Sequence, residues 1–594
     1  MWKSNPYNFN RRPTHEVRIG NFEMGGINPV RIQSMANTNT NDIENSVKQC
    51  LRIVSAGADL VRFTTQGIKE VESLKLIHQA LRSQGCQVPL AADVHFNANV
   101  ADLAAKHVEK VRINPGNYVS GIKSDLTTDY TDEEYTLEYE KIRARFIPFL
   151  DICKTHNTAI RIGVNHGSLS ERMLNRWGNT AEGMVESCME FLRICIEVDF
   201  HRVVISMKAS NTVMMIQAVR LLVERMESED IHFPLHLGVT EAGDGEDGRI
   251  KSAVGIGALL AEGTGDTIRV SLSEEPEAEI PVAKLLRDYI AQRENHPMIV
   301  LKSDNPVSLK PFTRRKTYAV RNIGGENIPV VISKPVNHPT LKADYILNGE
   351  TIANSEGEIF KIHIPENLTR SDETVSFLRM NYSQLTPEII SHLKSSKKTV
   401  ILLETSHINP VGEQRAFIHT LIAEGCETPV IAAGRYREND LEDLQIKSAA
   451  DLGVIFVDFL ADGIFLDNEG TASNEDVLSV SFGILQAARV RVSKTEFISC
   501  PGCGRTLFEL QSVIARIKAK TSHLTGLKIG IMGCIVNGPG EMADADYGYV
   551  GAARGKVSLY KKHECIEKNV PAEEAVEKLI DLIKANGDWK EPET

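Results

Sequence analysis

The sequence has no run of eighteen apolar residues, the length that a membrane-spanning helix needs, so we expect no membrane span. Its first residues, MWKSNPYNFNRRPTHEVRIG, contain neither an apolar signal core nor a long transit segment rich in Ser and Arg. Net positive charge is also missing, since the formal charge is −12, and this disfavours nucleic acid as the main partner. We therefore expect a cytoplasmic protein.

Two familiar binding patterns are absent as well. The glycine-rich segments do not form the GxGxxG turn that a dinucleotide site requires. Only one Cys-x-x-Cys pair is present, Cys500 and Cys503, whereas a zinc ribbon needs two such pairs. Most of the ten cysteines lie among apolar neighbours, which is typical of buried thiols in a reducing compartment.

The first half of the 594-residue chain repeats one unit, a short β-branched run followed by a helical pattern. Eight strands alternating with helices predict a (β/α)8 barrel, and a doubly wound open sheet is the alternative. The eight runs are PVRIQSMANT from Pro29, DLVRFTT from Asp59, PLAADVHF from Pro89, KVRINPGN from Lys110, AIRIGVNHG from Ala159, RVVISMKAS from Arg202, PLHLGVTEAG from Pro234 and DTIRVSLS from Asp266.

Charged and amide residues gather at the carboxyl ends of these runs, which in a barrel all open on one mouth. Five cations there would repel one another unless an anion compensated them, and guanidinium groups match phosphate oxygens well. We infer a small substrate with more than one phosphate, and Glu241 as the acid or base candidate. The predicted mouth residues are Arg62, Asp93, His95, Arg112, Asn114, Arg161, Asn165, Lys208, Glu241, Arg269 and Ser271.

The middle of the chain again reads as strands and helices, in the segments YAVRNIGG, IPVVISKP, TVILLETS, TPVIAAGR and DGIFLDN. It resembles the barrel itself, because IKSA occurs at Ile250 and again at Ile446 in similar surroundings. The two IKSA segments are 196 residues apart. The same offset aligns Glu404 with Lys208 and Phe465 with Arg269. We interpret this region as a degenerate barrel that does not bind phosphates and has a structural role.

The character of the sequence changes again after about Arg489. In this last part, Cys500 and Cys503 are followed by Cys534, which stands in a glycine-rich turn. A redox dithiol, part of a zinc site and unpaired thiols are all compatible with Cys-x-x-Cys alone. Three thiolates with an oxygen ligand such as Glu541 suit a [4Fe–4S] cluster better than zinc. Cys565 is predicted to lie in an amphipathic helix, HECIEKNV, and is the weaker candidate for the fourth ligand.

Taken together, the segments ADVHFN, VRINPGN, RIGVNHGSL, HLGVTEAG, CPGCGRT and GCIVNGPGE resemble the 4-hydroxy-3-methylbut-2-enyl diphosphate synthase (GcpE) family of the non-mevalonate isoprenoid pathway. The middle region resembles the insert of the family's long form. The resemblance implies three parts: a TIM barrel over residues 1–298, an α/β barrel-like insert over 299–488, and an α+β cluster domain over 489–594 that is similar to sulfite and nitrite reductases.

The resemblance also implies a reaction, the reductive ring opening and dehydroxylation of 2-C-methyl-D-erythritol 2,4-cyclodiphosphate. Two electrons would arrive singly through a [4Fe–4S] cluster from ferredoxin or flavodoxin, and we expect a bacterial, homodimeric enzyme.

The resemblance implies roles for three groups of matching positions, which we state as expectations. The cluster ligands are Cys500, Cys503, Cys534 and Glu541. The diphosphate-binding residues are Arg62, Arg112, Asn114, Arg161, Asn165, Lys208, Arg269 and Ser271. Asp93, His95 and Glu241 lie near the carbon skeleton, with Glu241 as proton donor.

Two other hypotheses stay open at this point. One is a barrel transferase of the dihydropteroate synthase type, in which the C-terminal cysteines bind a structural zinc ion. The other is a non-catalytic scaffold, suggested only by the degenerate middle region.

Overall fold

The computed structural model describes residues 5–119, 130–307, 312–367 and 374–592, apart from 537 and 543. These residues form two eight-stranded barrels and a smaller mixed sheet, in chain order. No helix among them has the length and apolar character that crossing a membrane requires.

The first barrel confirms the prediction of eight parallel strands, and each strand lies within one of the eight predicted runs. A parallel bridge between Ile205 and Leu235 joins the two ends of the sheet. A hairpin of β1 and β2 precedes the barrel, and Val17, Ile19 and Met24 of this hairpin pack in one apolar cluster with residues of four barrel strands. The strands are β1 (Val17–Ile19), β2 (Phe22–Met24), β3 (Arg31–Met35), β4 (Leu60–Thr64), β5 (Leu90–Asp93), β6 (Lys110–Ile113), β7 (Ala159–Asn165), β8 (Val203–Lys208), β9 (His236–Leu237) and β10 (Thr267–Ile268).

Helices follow the strands around this barrel, and most begin at a side chain that accepts a hydrogen bond from the first turn. Asp42 and Thr180 cap their helices in this way, and Thr131 forms a capping box with Glu134. The helices are α1 (Ile43–Ala56), α2 (Ile68–Ser83), α3 (Ala98–Ala104), α4 (Asp132–His156), α5 (Glu171–Trp177), α6 (Ala181–Glu197), α7 (Thr212–Ser228), α8 (Gly245–Ala261) and α9 (Glu279–Ala291).

The second barrel is closed, but its strands are not all parallel, because β12, β13 and β14 form an antiparallel meander. Its interior is filled by apolar side chains, among them Phe377 and Phe465. The elements are β11 (Val330–Ser333), β12 (Tyr345–Asn348), β13 (Thr351–Asn354), β14 (Ile359–His363), β15 (Ser376–Met380), α10 (Pro387–Ser395), β16 (Thr399–Leu403), α11 (Pro410–Ala423), β17 (Val430–Tyr436), α12 (Leu441–Val457), β18 (Gly463–Asn468) and α13 (Asn474–Ala487).

Four of the five segments predicted as strands in this region contain observed strands, and the prediction for YAVRNIGG is wrong. Val320 and Ile323 form one isolated antiparallel bridge across a tight turn, in which Arg321 has a φ of 55°. Both apolar side chains are buried in the cluster that fills the barrel.

The two barrels pack together through α8 and α12, the helices that carry the repeated IKSA segment. A Cβ at Gly257 would lie 3.0 Å from the Cβ of Ala450, and one at Gly453 would lie 2.5 Å from Cγ2 of Val254. The offset of 196 that aligns Gly257 with Gly453 also aligns Val254 with Ala450. Each helix therefore presents equivalent positions to the other, as in an isologous interface.

The third unit is a five-stranded sheet in the order β19-β20-β21-β22-β23, parallel across its first three strands and antiparallel across the rest. Cys565 lies in β23, so the prediction that it lies in a helix is wrong; its segment pairs with β22 instead. The elements are β19 (Glu496–Ser499), α14 (Leu510–Thr521), β20 (Lys528–Met532), α15 (Gly538–Glu541), β21 (Tyr547–Ala553), β22 (Lys556–Lys561), β23 (Glu564–Pro571) and α16 (Ala575–Ala585).

Candidate active site

The mouth of the first barrel is covered by the third unit of the same chain. Ala242, beyond the end of β9, forms a parallel bridge with Ser499 at the end of β19. The hydroxyl of Ser273 lies 2.8 Å from Oγ of Ser499 and donates to the backbone oxygen of Cys500 at 3.0 Å. A Cβ at Gly167 would lie 2.2 Å from the carbonyl oxygen of Gly540, so only glycine permits this approach of the two backbones.

The cavity enclosed between these two units contains all but two of the residues predicted for the site. His95 and Asn114 are the two that do not line it. The predicted residues that line it are Arg62, Asp93, Arg112, Arg161, Asn165, Lys208, Glu241, Arg269, Ser271, Cys500, Cys503, Cys534 and Glu541.

Three of the five barrel cations, Arg62, Arg161 and Lys208, form no ion pair with any carboxylate in the described part of the chain. Burial and the neighbouring cations lower the pKa of Arg62 to about 10. The same two causes hold the pKa of Lys208 well below its usual range. An excess of buried positive charge without compensation is costly, and a bound anion removes that cost.

The other two barrel cations are held by carboxylates. Arg269 donates from Nε and Nη2 to the two oxygens of Glu279, at 3.2 and 3.0 Å. Arg112 donates from Nη1 to Oδ1 of Asp93 at 3.2 Å. Burial alone would raise the pKa of Asp93, but the charges of Arg62, Arg112 and Arg505 outweigh it and hold that pKa well below its usual range. Asp93 is therefore ionised at neutral pH and orients arginines.

His95 and Asn114 support the lining residues from behind. Arg112 donates from Nη1 to Nδ1 of His95 at 2.8 Å, so the ring proton of the neutral imidazole lies on Nε2. Burial and the nearby arginines hold the pKa of His95 well below its usual range. Asn114 caps a single helical turn by accepting from the backbone of Gly116 at 3.2 Å, and it donates to Oγ of Ser168 at 3.0 Å.

Glu541 and Glu241 meet at the boundary between the barrel and the third unit. Thr240 donates to Oε2 of Glu541 at 3.0 Å, and Nδ2 of Asn165 donates to Oε1. Burial and the neighbouring Glu241 hold the pKa of Glu541 well above its usual range, and burial raises the pKa of Glu241. Two buried carboxyl groups side by side retain a proton between them. Glu241 also has a φ of 48°, a strained value for a non-glycine residue.

The three cysteines approach the cavity from glycine-rich loops. The backbone N–H of Gly533 donates to Sγ of Cys500 at 3.2 Å, and Gly502 has a φ of 80°. Burial raises the pKa of the Cys500 thiol. Burial also acts to raise the pKa of Cys503, but the charge of Arg505 outweighs it and lowers that pKa.

This donor set fits an iron–sulfur cluster better than a single metal ion. Backbone N–H groups directed at sulfur and a thiol whose pKa is lowered are features of cluster-binding loops. No three Cys, His, Asp or Glu side chains in the described ranges converge tightly enough to hold one ion. Cys565 does not line the cavity with the other three cysteines.

Sequence reasoning missed several residues of the site. Arg505 lines the cavity, and it stands within CPGCGRT, the segment that was singled out for its cysteines. Gly238 and Gly163 leave space for two of the cations: a Cβ at Gly238 would lie 2.1 Å from Nζ of Lys208, and one at Gly163 would lie 2.6 Å from Nε of Arg112. Both glycines stand in the quoted strand runs: Gly238 is three residues before Glu241, and Gly163 is two residues before Asn165.

Comparison with known proteins identifies two matching segments. Residues 14–284 match the GcpE TIM-barrel domain, and residues 496–585 match the GcpE protein C-terminal domain. The chain is 58% identical to a protein of Phocaeicola vulgatus named 4-hydroxy-3-methylbut-2-en-1-yl diphosphate synthase (flavodoxin), over 98% of this chain and 99% of that protein.

Proteins of the same name in other bacteria are also similar. The identity is 58% with that of Bacteroides fragilis, over 98% of this chain and 97% of that protein. The identity is 40% with the protein of Chlorobaculum tepidum, over 99% of this chain and 90% of that protein. Among solved structures, a dihydropteroate synthase from Yersinia pestis is similar over 46% of this chain and 98% of its own, with 11% identity and a TM-score of 0.31. A likeness of that size supports no inference about activity.

Proposed function

This chain belongs to the GcpE family, and we propose that it converts 2-C-methyl-D-erythritol 2,4-cyclodiphosphate to (E)-4-hydroxy-3-methylbut-2-enyl diphosphate. It is an iron–sulfur oxidoreductase of isoprenoid biosynthesis. The reaction opens the cyclic diphosphate at a C–O bond, removes a hydroxyl group as water, and consumes two electrons together with protons.

One observation carries this proposal. Buried cations without ion pairs and three cysteine thiols face each other across one cavity, the first from the barrel and the second from the C-terminal unit. The cations demand an anion, and the thiols are ligands for iron. A reductive reaction on a diphosphate needs cations to bind the diphosphate. It also needs a redox cofactor next to them, because no protein side chain supplies electrons.

The barrel residues bind and orient the substrate in this proposal. Arg62, Arg161 and Lys208 neutralise the diphosphate, since they have no competing carboxylate. Arg112 and Arg269 contribute guanidinium groups that Asp93 and Glu279 keep in place. Holding the diphosphate at fixed positions places the carbon skeleton towards the cysteine loops, which contributes to catalysis through orientation.

Cys500, Cys503 and Cys534 would hold a [4Fe–4S] cluster, with Glu541 as the exchangeable fourth ligand. When bound, the cluster would supply the electrons one at a time. Glu241 is the proton donor in this proposal, because it is a carboxyl group of the cavity lining whose pKa is raised by burial. The cover that the C-terminal unit forms over the mouth excludes water from this region.

Flavodoxin is the electron donor that the names of the relatives support, and ferredoxin is the alternative. The second barrel is proposed to be structural, because its interior is packed with apolar side chains where the first barrel has cations. The predicted homodimer stays a prediction.

Anaerobic purification followed by iron and sulfide analysis tests the proposal together with substrate turnover. We expect a brown protein that forms the linear diphosphate with chemically reduced flavodoxin. A protein that still binds only zinc after reconstitution with iron and sulfide would contradict the proposal.

The ligand set has its own test. We expect Glu541→Ala to keep its iron but to turn over poorly, and Cys565→Ser to match the unmodified protein in both. If Cys565→Ser lost the iron while Glu541→Ala stayed fully active, the proposed ligand set would be wrong.

A further inference from the structure

Arg505 is a buried cation of the cavity that comes from the cysteine loop rather than from the barrel. Arg505 is only 7% exposed to solvent, and its side chain lines the cavity together with the five barrel cations. Nη2 donates to Oδ2 of Asp93 at 3.3 Å. Nε and Nη1 are buried and have no hydrogen-bond partner among the described residues.

Two nitrogens of this one guanidinium group, Nε and Nη1, therefore call for an acceptor. A buried N–H of a charged group without a partner costs more than a neutral one, so native structures rarely retain it. Asp93 accepts from Nη2 of Arg505 with Oδ2 and from Arg112 with Oδ1, and it accepts from neither Nε nor Nη1 of Arg505. Cys503 lies beside the guanidinium group, and a ligand in the cavity with oxygen acceptors would complete the hydrogen bonds of Nε and Nη1.

The surroundings of Arg505 favour an anion as that acceptor. Asp93 is bonded by Arg112 from the barrel side and by Arg505 from the loop side, which joins Arg505 to the barrel cations in one network. The charge of Asp93 is shared among these arginines, so the network keeps an excess of positive charge.

We propose that Arg505 binds the diphosphate of the substrate, so that the cysteine loop contributes a sixth cation to the anion site of the barrel. This proposal rests on the proposed function. Arginine suits the position because its planar fork donates to Asp93 with one nitrogen and to a phosphate oxygen with the others. Lysine, a single point charge, does not serve both partners in that geometry.

A role confined to the cysteines is the competing explanation, since Arg505 also lies beside Cys503. The two roles differ in what they predict for a ligand that accepts no electrons. Inorganic pyrophosphate is such a ligand, and its affinity reports on the anion site alone.

The experiment compares pyrophosphate binding by titration calorimetry in cluster-loaded, anaerobically purified proteins. We expect Arg505→Gln to weaken binding about 10- to 100-fold, as for the loss of charge-assisted hydrogen bonds, and Arg505→Lys to recover only part of it. The matched control is Arg516→Gln, which removes an exposed arginine of the same unit and leaves the affinity unchanged. Iron content and the electron paramagnetic resonance spectrum of each reduced protein show whether the cluster is intact.

Each outcome decides a separate point. Unchanged pyrophosphate affinity in Arg505→Gln, with or without a shift in the cluster potential, would overturn the proposal and assign Arg505 to the cysteines. No binding by the unmodified protein would overturn the anion site and this proposal with it. Turnover of the cyclic diphosphate is measured separately on the unmodified protein, so a protein that binds pyrophosphate through Arg505 but forms no product refutes the proposed function alone.

Discussion

At the residue scale, Lys208 shows that the anion site is built at the expense of stability. It is 7% exposed and has no carboxylate at ion-pair distance among the described residues. Burying such a group costs free energy, whether it stays charged or gives up its proton. We expect Lys208→Met to stabilise the substrate-free protein by about 1 kcal/mol or more and to raise KM for the cyclic diphosphate about 10- to 100-fold. Urea unfolding and steady-state kinetics measure the two effects.

The pH dependence of this stabilisation has a defined sign. The folded state holds the pKa of Lys208 below the value of the unfolded chain, so protonation favours unfolding. Raising the pH from 7 towards 10 removes that penalty, and the gain from Lys208→Met should shrink over this range. The control is Lys251→Met: Lys251 is equally buried but lies 2.7 Å from Glu496, so its loss should destabilise the protein. Destabilisation by Lys208→Met at pH 7 would contradict the prediction.

Gly238 offers a second prediction at this scale, because it makes room for Lys208 but does not itself line the cavity. A Cβ there would lie 2.1 Å from Nζ of Lys208 and 2.6 Å from the carbonyl oxygen of Arg269. We expect Gly238→Ala to displace Lys208 and to raise KM about tenfold or more. Gly67→Ala is the control, since its added methyl group meets only the Glu70 carboxylate, at 3.3 Å. Equal kinetics of the two variants would contradict this positioning role.

Much of the site was predictable from single residues, for a physical reason. The carboxyl ends of barrel strands converge on one mouth, so cations on five of the eight runs are enough to predict the anion site. Arg505 and Glu279 escaped this reasoning because neither lies on a barrel strand: the first follows Cys503 in another unit, and the second begins α9. The periodicity of the barrel strands gives no information about residues that lie outside those strands.

At the element scale, the crossing of α8 and α12 depends on two glycines. Alanine in a helix is normally about 1 kcal/mol more favourable than glycine. At Gly453, however, the new Cβ would lie 2.5 Å from Cγ2 of Val254, and overpacking costs about 1–3 kcal/mol. We expect Gly453→Ala to lower the urea midpoint and Val254→Ala to restore part of the loss in the double variant. A Gly453→Ala variant as stable as the unmodified protein would show that the helices can separate at no cost.

The predicted elements succeeded where strand and helix alternate and failed elsewhere. The eight runs of the first barrel are buried, β-branched and regularly spaced, so their pattern predicts them. Strands β12, β13 and β14 were missed because they are short and form a meander with partly exposed faces. Cys565 was placed in a helix because its charged neighbours fit a helical face, whereas pairing with β22 determines the structure of that segment.

At the scale of the whole molecule, one chain contains every part of the proposed site. Arg220 and Arg415 each contact both Glu262 and Asp458, and these partly buried ion pairs link the two barrels near the α8–α12 crossing. Glu262 and Asp458 are themselves equivalent under the 196-residue offset, and they end α8 and α12. The α8–α12 contact therefore relates the two barrels as an isologous contact relates two subunits.

This arrangement predicts that a defective barrel and a defective cysteine loop cannot complement each other. The third unit lies on its own barrel through Ser273 with Ser499 and through Arg505 with Asp93. We expect a mixture of Lys208→Met and Cys503→Ser proteins, co-expressed with different tags and purified through both, to show no more turnover than the two variants measured separately. A site formed between chains would instead recover activity in the mixed assembly, because one of its two sites would combine an intact barrel with an intact loop. Recovered activity would therefore place the working site between subunits, and failure of the two tags to co-purify would indicate a monomer with the same intramolecular site.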